Sequence, residues 1–208
     1  MAVKTNAYTS KTPDRYLLDA GAIYFNLKFS EAGEATGELM GATNGGNEFS
    51  LTQEMREIEI DGTKGRSKGG TVIQSENADL MVNLKELTAD NIERAIAGAT
   101  RDTTTMKGYD IISSKGRILM EDYAENVAYV GRLSGNKKPV IIVLENALSM
   151  EGLSIATSDD DEATVPIKFG AHYNADTTEL EAAPYKIYWP KEDGAEEPPP
   201  LPPEEEEL

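Results

Sequence analysis

The stretch from Gly37 to Ala99 constrains the fold more than any other part of the chain, because four local signals follow one another there in a fixed order. It opens with GELMGATNGGNEFSLTQEMREIEIDG, in which Phe49, Leu51 and Met55 keep a period of two and claim a core face before Ile58 and Ile60 take over on the other parity. Alternation marks a half-buried strand, here Asn47 to Ile60, and the phase slip predicts a bulge or strong twist within it. Asp61 to Gly70 follows as a ten-residue connection, with Gly62, Gly65, Gly69 and Gly70 set among Lys64, Arg66 and Lys68. That composition predicts a long, mobile hairpin loop. Alternation then returns through Leu80, Val82 and Leu84. Thr88 supplies an N-cap, Leu87 and Ile92 stand where a hydrophobic staple would hold a helix start, and Gly98 supplies its stop.

Strand signals continue through the rest of the body. Leu18 to Phe29 places Ile23, Phe25 and Leu27 on one parity, after a turn-like Asp19-Ala20-Gly21. Tyr109 to Ser113, Arg117 to Met120 and Tyr123 to Leu133 follow, the last alternating Tyr123, Val127, Tyr129 and Leu133 against Ala124, Asn126 and Ala128. Lys138 to Asn146 is a continuous Val/Ile/Leu run, which predicts cover on both faces. Leu153 to Thr157, Ala163 to Tyr173 and Tyr185 to Trp189 complete the set. Short strands, turn signals between them and one helix predict a mainly β fold, a β-sandwich or partly closed barrel with a single flanking α-helix.

Length and charge bound what such a fold can do. A chain of 208 residues buries roughly 70% of its unfolded surface, enough for a real core. Cysteine is absent, which excludes disulfides, thiolate metal sites and cysteine catalysis, and agrees with assembly in a reducing cytoplasm. MAVKTNAYTSK lacks an apolar h-region, and the longest aliphatic run, Val140 to Leu144, is far below the ~20 residues of a membrane helix, so the expectation is a soluble chain without a secretory leader. Net charge is −17, of which Lys191 to Leu208 carries −7 and the remainder −10. An acidic body repels nucleic acid, since binders need a basic stripe to meet phosphates. The terminal PKEDGAEEPPPLPPEEEEL is rich in proline and acid and poor in large apolar groups, so 191–208 is expected to be a disordered tail on a domain spanning 1–190 with an N-terminal arm over about 1–16. Its PPPLPP core has the makings of a polyproline ligand, although a solvating terminus is the ordinary role of such a tail.

The order of long strand, glycine-rich basic loop, alternating strand and capped helix resembles the major tail tube protein of long-tailed, siphovirus-type bacteriophages. The GATNGG run at Gly41 to Gly46, the IEIDGTKGRSKGG run and the VPIKFGAHY strand from Val165 to Tyr173 add to the likeness, which spans residues 17 to 190. The resemblance implies a structural virion protein whose subunits form rings, usually of six, with inner strands joined around a lumen and rings stacked into a tube. Implied partners are other copies of the chain, the tape measure protein, the tail terminator and the distal tail or baseplate proteins, with DNA passing through unbound and no membrane. The implied location is the virion tail, assembled in the host cytoplasm. On this reading Glu54, Glu57 and Glu59 are candidates for the lumen wall, where acids give a passing duplex nothing to adhere to. Lys64, Arg66 and Lys68 are candidates for a contact between stacked rings. A different class also fits: a non-polymerising β-sandwich that decorates a virion or mediates adhesion.

Enzymatic chemistry finds little footing. Glu57 and Glu59 are i, i+2 neighbours about 7 Å apart by strand rise, a spacing glycosidase carboxylates can have, but every E-x-E strand produces it. His172, the sole histidine, has no histidine partner and is assigned a structural role. Ser158 to Glu162 offers carboxylates to a hard cation yet lacks the spaced ligands and glycine of an EF-hand, so a solvated loop is the expectation. GTKGRSKGG departs from the phosphate-loop spacing and leads into a strand instead of a helix. The chain is therefore expected to be no enzyme and to need no cofactor or metal.

Overall fold

In the computed structural model, which describes residues 5–29, 35–157, 159, 162–174 and 182–191, the alternating segments become antiparallel strands. They are β1 (Leu17–Phe29), β2 (Ala35–Leu39), β3 (Thr43–Glu57), β4 (Thr71–Leu84), β5 (Ala99–Asp102), β6 (Ile111–Ser114), β7 (Ala124–Leu133), β8 (Val140–Ser149), β9 (Val165–Gly170) and β10 (Tyr185–Tyr188), with one helix, α1 (Ala89–Ala95). One face of the molecule runs β2-β1-β7-β8-β10 and the other β8-β9-β4-β3, while β5 and β6 form a small sheet of their own. The expected tail lies outside the described residues except for Lys191.

The strand β8 belongs to both faces. Ile141 to Leu144 pair with β10, whereas Leu148 and Ser149 pair with β9. Between these halves Asn146 adopts φ 48, a left-handed conformation that asparagine tolerates better than other side chains. The Asn146 amide donates to the His172 carbonyl at 3.0 Å, and the Asn146 carbonyl lies 3.1 Å from His172 Nδ1. A carbonyl only accepts, so Nδ1 carries the proton. The Tyr123 ring and the imidazole pack in a T-shaped arrangement with centroids 5.1 Å apart. His172 thus braces the corner at which the strand changes sheets, a structural role as expected.

Between the faces, Ile23, Val127, Tyr129 and Leu144 meet Leu80, Val82, Leu84, Ile167 and Phe169, with Ala95 of the helix in the same cluster. Each large apolar side chain withdrawn from water there contributes about 1.5–3 kcal/mol before entropy is counted. The helix starts as the sequence predicts: Thr88 Oγ1 accepts from the Asn91 backbone N–H at 3.2 Å. Asn91 itself is buried and donates through its side chain to the carbonyls of Met40 at 2.7 Å and Glu86 at 3.0 Å. The chain crosses from β2 to β3 at Met40, so one side chain ties the helix to that crossing. Leu87 remains exposed. Gly98 at φ 66 ends the turn, pressed so close to the Arg117 carbonyl that a Cβ would stand 2.3 Å from it.

Several expectations need correction. Leu27 does not share the face of Ile23 and Phe25: Asn26 at φ 53 breaks the alternation, and Leu27 packs with Ala128 and Val143 on the far side of the sheet. This cluster supplies the second cover predicted for the apolar run of β8. Arg117 to Met120 is not a strand, because Asp122 accepts from the Leu119 N–H at 2.7 Å and closes a 3₁₀ turn, a local bond that competes with a ladder. Leu153 to Thr157 supplies only an isolated bridge, Ala156 to Thr164. Conversely β2 and β5 carry no apolar alternation to betray them. The first is exposed throughout, and the second is held by Arg101, paired to Asp90 and Asp110.

Candidate assembly surfaces

Strand lengths decide what projects from this body. With 15 and 14 residues, β3 and β4 extend about 45–50 Å, against about 20 Å for the six residues of β9. The β4–β9 ladder covers Asp79 to Leu84. Beyond it and the bond from the Ala171 N–H to the Ala78 carbonyl, among the described residues, Thr52 to Glu57 and Thr71 to Asn77 pair only with each other, as a two-stranded ribbon. Such a ribbon is marginal on its own and takes its final order from whatever packs on it.

At the root of the ribbon Phe49 still reaches the core, its ring 6.1 Å from that of Tyr185. The Tyr185 phenol is raised above its ordinary pKa, first by burial and then by the charge of Glu76. Farther out no other described element covers the core face. Met55 and Ile73 stand opposite each other across the ribbon and are 61% and 57% exposed. Ile58 and Ile60, of the other parity and beyond the end of β3, are exposed as well. The expectation that Leu51 and Met55 fill the core therefore fails for a geometric reason: the period of two fixes which face a residue occupies, not whether a second sheet lies beneath it.

The predicted bulge exists but sits on the partner strand. Glu54 opposes Ser75 and Met55 opposes Ile73, so Gln74 is the extra residue. Because β3 runs on without a slip, Glu54 lies on the face opposite Glu57, and the three acids named for the lumen do not form one row. Glu54 accepts from Ser75 Oγ at 3.0 Å. Glu57 pairs with Arg66 Nε, and Glu59 lies beyond the end of the strand. All three are exposed.

The tip is built from two turns. The Thr63 N–H donates to the Ile60 carbonyl at 3.2 Å with Gly62 at φ 86, and the Gly70 N–H donates to the Ser67 carbonyl at 2.9 Å with Gly69 at φ 88. Positive φ at both positions is the reason for glycine there. Lys64, Arg66 and Lys68 are exposed on this tip. The Arg66–Glu57 pair folds one of the bases back on its own ribbon, a partner that spacing in the sequence does not disclose.

Of the other candidates, Glu162 pairs with Lys85, and Ser158, Asp160 and Asp161 lie outside the described residues. Among the described residues no group of three or more His, Asp or Glu side chains is arranged to hold a metal. Glu57 and Glu59 sit at an open ribbon end, one of them already paired to Arg66. The surface that sequence reading missed is the exposed apolar pair Met55 and Ile73 on the core-side face of the ribbon; its signal was strand length in excess of any predicted third strand.

No family model matches this sequence, and no curated protein matches it. Among solved structures, a chain from the virion of a native gene transfer agent particle is similar at a TM-score of 0.36 and 13% identity, over 72% of this chain and 90% of that one. At that distance the likeness carries no argument about function.

Proposed function

We propose that the chain is a structural subunit of a phage-type virion that assembles with copies of itself into stacked rings, forming a tail tube that conducts DNA. The observation that supports this reading is the ribbon. A two-stranded arm with an apolar face and a basic tip, on a body of net negative charge, is half of an interface. A contact between the arm and a different patch on the next copy is heterologous, so it closes into rings or propagates as a filament. The exposed edges of β2, β3 and β10 would be paired in the same assembly, which removes the hazard of open sheet edges. Glu54, Glu57 and Glu59 remain the acids proposed to face the bore, with Glu54 on a different wall from Glu57. Tape measure, terminator and distal tail proteins are the partners such a tube requires. The test is negative-stain microscopy of concentrated protein across a salt series. Tubes or rings that shorten as salt rises, from screening of Lys64, Arg66 and Lys68, support the reading; a monodisperse monomer at every salt concentration overturns it in favour of a decoration or adhesion module.

A further inference from the structure

An antiparallel sheet ordinarily leaves one face to water. Here the face turned away from the core is apolar too: the cross-strand row Tyr24, Ala128, Val143 contains two buried residues. What buries them is the β1–β2 hairpin. Leu27 packs on Ala128 and Val143, and the Phe29 ring lies 5.2 Å from that of Tyr188. Tyr188 aligns through Ile141 and Val130 with Ala22. Were β1 straight, Phe29 would stand about 23 Å farther along the sheet, seven residues on, and three strands away. The hairpin therefore leaves the sheet after Phe25 and folds back over its outer face.

The fold-back turns on one residue and is lightly held. Asn26 supplies the turn at φ 53, and the β1–β7 ladder stops at Phe25 and Val127. Beyond that point a side chain does what backbone does elsewhere: Asn126 Oδ1 accepts from the Leu27 N–H at 2.8 Å, and its amide donates to the Leu27 carbonyl at 3.0 Å. The Lys28–Glu125 pair on the rim is exposed and screened by solvent. Ala124 and Asn126 of β7 pair with β8 but have no β1 residue in register, and the Asn126 N–H is met only by the Asn26 side chain, Oδ1 at 3.4 Å, so a straightened β1 exchanges that bond for a continued ladder.

We infer that the outer face of the β1-β7-β8-β10 sheet is a docking surface for the β1–β2 hairpin of a second copy, and that the chain's own hairpin occupies it in the free subunit. Exchange of an identical element between copies replaces each contact with the same contact in trans, so little opposes it except the hinge. Opening relaxes Asn26 from the left-handed region and extends the β1–β7 ladder. The swung-out Leu27 and Phe29 then need cover, and the vacated face of a neighbour has the matching shape. Each copy gives one hairpin and receives another, so the exchange propagates along a series of subunits. The choice of a second copy as partner rests on the self-assembly proposed above.

The chain has no cysteine, which makes crosslinking clean. Phe29→Cys and Tyr188→Cys chains, tagged to differ in mass, are mixed, concentrated under mild oxidation and run on a non-reducing gel. The expected product is a mixed covalent dimer in excess over both homodimers; homodimers at or above its level, or no dimer, overturn the exchange. The Phe29→Cys/Tyr188→Cys double variant, oxidised while dilute to lock the hairpin in cis, should then assemble at least tenfold more slowly, with reductant restoring the rate. Assembly of the locked form at the wild-type rate overturns it. If the cysteine variants fail to fold, the hinge is varied directly: Asn26→Gly, which eases the closed turn, should slow assembly, and Asn26→Val, which disfavours it, should hasten it, with equal rates counting against exchange. A mixed dimer without any polymer keeps the exchange and removes the tube, whereas polymer without a mixed dimer does the reverse.

Discussion

Replacing Met55 and Ile73 together by Ser tests whether the ribbon is an interface. The two side chains are cross-strand partners and are 61% and 57% exposed, so roughly 60% of each remains to be withdrawn from water by a neighbour. Complete burial of a Met or Ile side chain contributes about 1.5–3 kcal/mol, so the remaining fraction is worth about 1–2 kcal/mol each and about 2–4 kcal/mol for the pair. At 1.4 kcal/mol per factor of ten, the critical concentration for assembly should rise roughly 30- to 700-fold. The monomer should be almost unaffected, because substitutions at exposed positions usually stay within about 0.5 kcal/mol. Critical concentration is read by light scattering and pelleting, and monomer stability by circular dichroism during a thermal melt. A folded variant that assembles within threefold of the wild-type concentration would refute the argument that this face meets another copy.

Gly131→Ala should destabilise the monomer by about 1–3 kcal/mol in a denaturant melt, since the new Cβ would sit 2.4 Å from the Tyr129 hydroxyl and force the ring from its place in the core. Asn91→Ala leaves the Met40 and Glu86 carbonyls without their donor, and should cost about 2–4 kcal/mol in the same assay, with Asn91→Asp no better because a carboxylate cannot donate. Asp122 is held below its ordinary pKa of 3.8, first by Lys115 and then by the Leu119 N–H, so its stabilisation is complete above that value and is lost as pH falls through the lower folded-state pKa. Asp122→Asn should therefore lower stability at pH 6 and flatten the dependence below pH 4; an unchanged acid limb would show that this turn does not couple to global unfolding.

The sandwich was legible in the sequence because its core residues alternate: Leu80, Val82 and Leu84 mark β4, and Val165, Ile167 and Phe169 mark β9. The capped helix was legible for a local reason, since Thr88 needs only its own backbone to act. What escaped the sequence depends on partners distant along the chain. Asn26 reads as one polar residue in an alternating strand, and nothing nearby shows that Asn126, far away in sequence, will receive its neighbour. Met55 and Leu51 obey the core period and still face water, because no local signal reports that β9 is too short to reach them. Arg66 looked available to a neighbour until the ribbon brought Glu57 to it.

A strand shared by two sheets has a consequence for how the molecule comes apart. Losing β8 strips β7 and β10 on one side and β9 on the other, so neither sheet can melt while its companion stays intact. The body should open as one cooperative unit, and its amides should exchange with solvent only at the rate set by global unfolding. The ribbon beyond β9 and the folded-back hairpin stand outside that unit. They are free to open, bend and close again many times within one lifetime of the folded body, so the parts that meet other copies can change shape while the body that carries them does not.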